Sequence, residues 1–185
     1  MMGDTESAVR VDAPDPPVDW VRRFGGLIPV GGEVLDVACG RGRHGRFFHE
    51  LGHPVVMLDR DITKVVDMAS FDRVEIVARD LEAGRPWPLT GRRFAGVIVV
   101  NYLHRPILPE IVASVAEGGV LIYETFAVGQ EILGRPSNPD YLLHREELLI
   151  RVRPELRVVA FEDMEETTPV PAFKQRVVAV RDPAR

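Results

Sequence analysis

Short apolar segments alternate with amphipathic segments along most of this chain, and this alternation constrains the fold more than any other feature. Each apolar segment is rich in Val, Ile or Leu, as strands buried on both faces of a sheet are. The apolar segments span residues 34–37, 54–58, 74–77, 94–100 and 120–123. Helical patterns cover residues 42–51, 61–70, 107–116 and 145–153. Strands that alternate with helices predict a parallel sheet covered by helices on both faces.

The last part of the chain departs from this alternation. Residues 156–161 and 173–180 have strand-like composition, and the acidic, proline-containing segment between them shows no helical stripe. Two successive strands without a crossover helix should pair antiparallel. We therefore predict a doubly wound, mostly parallel α/β sheet of seven strands in which the last strand is antiparallel.

The length and composition indicate one domain preceded by a tail. A chain of 185 residues with 45% hydrophobic residues can bury a core of ordinary size. Residues 1–17 are polar and rich in proline, which predicts a flexible N-terminal tail before a single domain over residues 18–185. No apolar segment approaches the roughly 20 residues that a membrane helix needs, so we expect no membrane association.

The net charge and the single cysteine restrict the binding partners and the cellular compartment that we expect for the protein. The net charge of −5 disfavours nucleic acid as the main partner without excluding it. Cys39 is the only cysteine, which excludes an internal disulfide and a cysteine-based zinc cluster, and we expect no metal site. A chain without disulfides fits a cytoplasmic location.

A glycine-rich turn follows the first predicted strand and opens the first well-defined helix. Residues 36–45 are DVACGRGRHG, and their last six match the G-x-G-x-x-G pattern of dinucleotide-binding turns. Asp36, however, stands four residues before Gly40, at the carboxyl end of the strand. A carboxylate there would repel a pyrophosphate and suits a cationic ligand better.

The stretch VLDVACGRGRHG resembles the acid-x-G-x-G-x-G motif of the class I S-adenosylmethionine-dependent methyltransferases, with Ala38 in place of the first glycine. The resemblance continues in MLDRD, which ends the second strand with Asp59, and in VARDL, which ends the third with Asp80. It covers roughly residues 18–181 and is loosely closest to small, tellurite-resistance-type methyltransferases. It implies a Rossmann-like fold with a reversed last strand, and S-adenosylmethionine (SAM) as the cofactor.

The resemblance also implies which residues bind the cofactor. Asp59 would bond the ribose hydroxyls, and Asp80 with the Leu81 amide would contact the adenine. Asp36 could instead bond backbone amides of the turn, Cys39 could serve packing, and His44 could reach the cofactor or pack. The full predicted set is Asp36, Ala38, Cys39, Gly40, Gly42, His44, Asp59, Arg60, Asp80, Leu81 and Asn101.

The acceptor should lie beyond the fourth and fifth strands, because ligands of open α/β sheets gather at the carboxyl ends of strands. Tyr102 and His104 are the candidate catalytic residues, and His104 could act as a base near neutral pH or simply bond backbone at a helix start. The candidate substrate-binding residues are Tyr123, Glu124, Arg135 and Tyr141. The Gly- and Pro-rich part of segment 129–144 could form a mobile lid, a substrate wall or a rigid turn.

The function expected from these residues is methyl transfer from SAM to a small-molecule acceptor by in-line displacement. An RNA or protein methyltransferase is one alternative. A non-catalytic nucleotide- or SAM-binding domain, or an NAD-dependent oxidoreductase, is another. The sequence leaves open the acceptor, the use of a general base and the oligomeric state.

Overall fold

A seven-stranded sheet forms the centre of the computed structural model, which describes residues 15–168 and 170–184. The strand order is β3-β2-β1-β4-β5-β7-β6, and only β7 runs antiparallel to its neighbours. The predicted doubly wound sheet with a reversed last strand is therefore confirmed. The strands are β1 Val34–Val37, β2 Val55–Asp59, β3 Val74–Ala78, β4 Phe94–Val100, β5 Val115–Phe126, β6 Arg157–Glu166 and β7 Ala172–Val180. Of the predicted tail over residues 1–17, residues 1–14 lie outside the described part.

The helices are short, three of them lie within segments predicted above as helical, and the one over residues 130–133 was not predicted. They are α1 Asp19–Phe24, α2 Arg43–Glu50, α3 Leu108–Ala113, α4 Gln130–Leu133 and α5 Glu147–Val152. The segment predicted as a helix over 61–70 forms two 3-10 turns, Ile62–Lys64 and Val66–Ser70. Its β-branched residues disfavour an α-helix, and the Asp61 side chain accepts the Thr63 amide in a tight local turn. The helix predicted to reach residue 116 ends earlier because β5 begins at Val115.

The core has one layer on each face of the sheet. One layer packs α3 and α5 against residues such as Val97 and Leu121. The other packs α1 and α2 against residues such as Met57 and Ile122. Gly45 lets α2 approach β2, since a Cβ at this position would lie 2.5 Å from the Met57 side chain. In the described ranges, no helix has both the length and the apolar character needed to cross a bilayer.

The parallel register brings the ends of several strands to one edge of the sheet. Val37 of β1 lies beside Leu58 of β2 and Val99 of β4. The residues that follow these strands therefore meet above the carboxyl edge, where ligands bind in open α/β sheets.

Candidate functional site

A cavity of about 500 Å³ lies at the carboxyl edge of the sheet. Its walls come from the ends of β1 to β5, from the connection after β3 and from the segment between α4 and α5. The predicted site residues that line it are Ala38, Asp59, Arg60, Asp80, Leu81, Asn101, Tyr102 and Tyr141. It also has six lining residues that were not predicted, namely Arg79, Glu82, Leu103, Thr125, Phe126 and Pro136.

The glycine turn after β1 has a left-handed backbone at three positions. The φ angles are +53° at Ala38, +56° at Gly40 and +72° at Gly42. L-residues with a Cβ are disfavoured in this conformation, which explains why glycine suits the position that Ala38 occupies. The Gly40 amide donates to Asp59 Oδ2 at 2.8 Å, so the end of β2 holds the turn.

Two carboxylates from neighbouring strand ends face the cavity. Asp59 also accepts the Asp61 amide through Oδ1 at 2.9 Å, and Asp80 accepts the Glu82 amide at 2.9 Å. Both side chains line the cavity. A carboxylate has about four acceptor positions, so each retains lone pairs for a ligand.

Asp36 and His44 lie beneath the turn instead of at the cavity surface. Asp36 is 2% exposed, and its Oδ2 accepts the Gly45 amide at 2.9 Å. Burial raises the pKa of Asp36 to about 7, although the Gly45 hydrogen bond and Arg43 act in the opposite direction. His44 Nδ1 is 4.0 Å from Asp36 Oδ1, and burial, with a smaller effect of Arg43, lowers the pKa of His44 to about 3. The structure thus shows Asp36 bonding a backbone amide, one of the alternatives left open above.

The remaining turn residues shape the loop without lining the cavity. Cys39 is buried, and burial together with the carboxylates of Asp36 and Asp59 raises the pKa of its thiol far above the ordinary value. It is therefore a neutral thiol at physiological pH. A Cβ at Gly40 would meet no atom within 4 Å, whereas one at Gly42 would lie 2.7 Å from Val65.

Comparison with known proteins bears on the fold. No protein-family model matches the sequence, and no curated protein matches it either. Solved structures do match. TehB from Haemophilus influenzae superposes with a TM-score of 0.68 at 14% identity, over 89% of this chain and 62% of TehB. The 1,6-didemethyltoxoflavin-N1-methyltransferase of Burkholderia thailandensis, solved with its substrate and S-adenosylhomocysteine, gives 0.67 at 18% identity, over 89% of this chain and 77% of that one.

A TehB-like SAM-dependent methyltransferase from Corynebacterium glutamicum gives a TM-score of 0.61 at 19% identity, over 88% of this chain and 87% of its own. The fold is that of the SAM-dependent methyltransferases. The chain spans less than two thirds of the length of TehB, at 62%.

Within this methyltransferase fold, Asn101 and Tyr102 directly follow β4, and both residues line the cavity. Asn101 has a left-handed φ of +56°, which Asn tolerates better than most residues, and its amide donates to the Glu124 carbonyl at 2.8 Å. Burial, with smaller effects of Glu82, Asp80 and Asp59, raises the pKa of Tyr102 well above its usual range. The Tyr102 hydroxyl is therefore protonated at neutral pH.

His104, the other candidate catalytic residue, does not line the cavity. It precedes the 3-10 turn Arg105–Ile107, and its carbonyl accepts the Ile107 amide at 3.2 Å. The structure brings Tyr102 to the cavity and leaves His104 outside its lining.

Three of the candidate substrate residues also lie away from the cavity lining. Tyr123 is 1% exposed, and its hydroxyl donates to the Tyr102 carbonyl at 2.9 Å. Glu124 is 2% exposed and lies 2.6 Å from Lys174 Nζ and 2.9 Å from Arg176 Nε. Arg135 is exposed, and its carbonyl accepts the Gln130 side-chain amide at 3.1 Å.

The residues that sequence reasoning missed are neighbours of those it found. β5 continues to Phe126, beyond the predicted end at residue 123, so Thr125 and Phe126 stand at the strand end and line the cavity. Arg79 and Glu82 flank the predicted pair Asp80 and Leu81. Thr125 and Phe126 end β5, and Arg79 and Glu82 come after β3. A position at or just after a strand end is therefore the sequence signal that could have identified all four residues.

Arg105 fixes the part of segment 129–144 that carries Tyr141. Its guanidinium donates to the carbonyls of Asp140 and Leu142, on either side of Tyr141, at 2.7 Å each. It also pairs with both oxygens of Glu147 at 2.9 Å. Burial alone would raise the pKa of Glu147, but the hydrogen bonds from Arg105 and the His144 amide lower it below its usual value. These contacts tie the backbone at residues 140 and 142, and the Glu147 side chain, to Arg105.

Proposed function

We propose that the protein is an enzyme that uses SAM to methylate a small molecule by in-line displacement. The observation that carries the proposal is the pair Asp59 and Asp80, whose carboxylates come from adjacent strand ends and open to one cavity beside the left-handed turn at Ala38. The structural neighbours support it. The Burkholderia enzyme holds S-adenosylhomocysteine, and the glycopeptide N-methyltransferase MtfA holds sinefungin.

The donor set of the cavity suits such a cofactor. A ribose diol needs acceptors, which Asp59 supplies, and an adenine amino group needs an acceptor beside an apolar surface, which Asp80 and Leu81 supply together. A cavity of about 500 Å³ is within the range of small-ligand sites. Ala38, Arg60 and Asn101 would complete the cofactor wall, while Gly40 and Gly42 shape the turn and Asp36, Cys39 and His44 support it from below.

The chain's own contribution to the reaction is positioning and exclusion of water. When bound, SAM supplies the electrophilic methyl group on its sulfonium. The ends of β4 and β5, with Asn101, Tyr102, Thr125 and Phe126, would hold the acceptor in line with that methyl group. Tyr102, protonated at neutral pH, can donate a hydrogen bond and orient a bound molecule.

The proposed partner is a small molecule in the cytoplasm. The net charge of −5 supports this partner over a nucleic-acid backbone, and the buried, neutral thiol of Cys39 is compatible with a reducing compartment. Methylation of RNA or protein is the second candidate, and labelled SAM incubated with metabolite, RNA and protein fractions would separate the two.

A single charge-removing variant tests the cofactor site. Asp80→Asn keeps an oxygen for the Glu82 amide but loses the negative charge, so the affinity for S-adenosylhomocysteine should fall about tenfold or more. Asp72→Asn is the matched control, because its side chain is 97% exposed at the opposite end of β3. Calorimetric titration measures both. Equal affinities for wild type and Asp80→Asn would remove Asp80 from the site.

A further inference from the structure

We propose that the methyl acceptor is an uncharged molecule that presents an aromatic or heteroaromatic ring and a nucleophilic atom whose lone pair is already free at neutral pH. This inference rests on the proposed function and names its substrate class.

Charge is distributed unevenly over the cavity walls. Among the described residues that line the cavity, the charged ones all lie at the end of β2 or after β2 and β3, at positions 59, 60, 79, 80 and 82. The uncharged end comprises the lining at the ends of β4 and β5 (Asn101, Tyr102, Leu103, Thr125 and Phe126), together with Pro136 and Tyr141 of segment 129–144. An acceptor that enters this end loses water without gaining a charged side chain among the residues that line it, and this penalty is small only for a neutral molecule.

Two aromatic residues, Phe126 and Tyr141, border the uncharged end. Phe126 ends β5, and the Lys174 ammonium lies 5.5 Å from its ring centroid. The backbone on both sides of Tyr141 is held because Arg105 binds the carbonyls of both of its neighbours. Aromatic walls attract ring systems through large apolar contact area and edge or offset stacking.

The described residues at this end also lack a base. The two carboxylate oxygens of Glu124, one strand position before Thr125, are paired with Lys174 and Arg176. Tyr102 is held in its protonated form by burial, which raises its pKa, and Thr125 and Tyr141 offer hydroxyl groups and no carboxylate or imidazole. The acceptor atom must therefore arrive with its lone pair free.

The methyl transfer requires no base from the protein. The acceptor's lone pair forms the new bond to the methyl carbon as the carbon–sulfur bond breaks, and that bond's electron pair stays on sulfur. A neutral acceptor atom without a proton becomes cationic. One that carries a proton releases it to water after the transfer.

Three ring compounds of similar size and different charge test the inference. Quinoline is neutral, 1-naphthylmethylamine is a cation and 1-naphthoate is an anion near neutral pH. Each is titrated by NMR into the full chain saturated with S-adenosylhomocysteine. We expect quinoline to bind about tenfold more tightly than either charged compound. A charged compound that binds as tightly, or the absence of quinoline binding, would overturn the inference.

Variants of the two aromatic residues test whether quinoline binds at the uncharged end of the cavity. Phe126→Ala and Tyr141→Ala should each weaken quinoline binding about fivefold or more while the affinity for S-adenosylhomocysteine stays within about twofold. Ile132→Ala is the control, since this side chain is 82% exposed on α4 and does not line the cavity. Unchanged quinoline binding in both wall variants would also overturn the inference.

S-adenosylhomocysteine is titrated first. If it fails to bind, both the proposed function and this inference are overturned. If only quinoline fails to bind, the proposed function still stands.

Discussion

Replacing the buried Asp36 by Asn should change stability in a strongly pH-dependent way. The Asp36 carboxyl group accepts the Gly45 amide at 2.9 Å, and an Asn side-chain oxygen can accept the same hydrogen bond. The substitution therefore keeps the geometry at the start of α2 and removes the ionisable group. Because burial raises the pKa of Asp36 from 3.8 to about 7, ionising this carboxyl costs more in the folded protein than in the unfolded chain.

The direction and the magnitude of the stability change follow from the linkage between protonation and folding. Between pH 3.8 and about 7, the unfolded chain has released the Asp36 proton and the folded protein has kept it. The contribution of Asp36 to the free energy of unfolding therefore falls as the pH rises through this window and is constant above it. A shift of roughly three pKa units corresponds to about 4 kcal/mol. Asp36→Asn should match wild type near the lower limit of the window and exceed it by up to about 4 kcal/mol above pH 7, less the cost of burying the amide.

His44 does not confuse this comparison. Its pKa is lowered from 6.5 to about 3, so its own contribution is lost as the pH falls through that range. His44 is present in both proteins and is uncharged in the folded protein over most of this window, so its contribution to the two free energies of unfolding is similar. Urea unfolding, followed by tryptophan fluorescence at a series of pH values, measures the difference directly. A difference that does not vary with pH, or an Asp36→Asn protein that loses stability as the pH rises, would refute the reasoning.

Three further substitutions probe the turn and the Tyr141 wall. Ala38→Gly relieves a left-handed φ of +53° and should raise the free energy of unfolding by up to about 1 kcal/mol, and a decrease in urea unfolding would contradict this. Gly45→Ala places a Cβ 2.5 Å from the terminal methyl and 3.0 Å from Cγ of the buried Met57 and should cost about 1 kcal/mol, so an unchanged melting temperature would count against the packing described here. Arg105→Ala removes both carbonyl contacts around Tyr141 and the pairing with Glu147. It should speed amide exchange over residues 140–142 about tenfold or more, and by more than in the sheet, and equal rates in wild type and variant would show that Arg105 does not hold this segment.

The fold could be predicted because its determinants are local. The apolar segments 34–37 and 94–100 match β1 and β4 residue for residue, since a strand buried on both faces is a continuous apolar run. The segment over 61–70 was predicted wrongly as one helix. Its apolar spacing is helical, but the β-branched residues and the Asp61 turn favour 3-10 geometry.

The sequence identified residues of the cavity lining best where an acidic residue marks the end of a strand. Asp59 ends β2 and Asp80 follows β3, both short and clearly bounded strands, and both side chains line the cavity. The end of β5 could not be located in this way, because its last residues are held by antiparallel pairing with β7, where Glu124 lies opposite Arg176 and Phe126 opposite Lys174. These partners are distant in sequence, so no local pattern shows that Glu124 is buried and that Phe126 faces the cavity.

The proposed cofactor of the cavity at the carboxyl edge is SAM and not a dinucleotide. Calorimetric titration of the full chain with S-adenosylhomocysteine and, separately, with NAD tests this proposal most directly. The cavity geometry predicts saturable binding of S-adenosylhomocysteine that weakens in Asp80→Asn, and no binding of NAD. Saturable binding of NAD together with no binding of S-adenosylhomocysteine would contradict it.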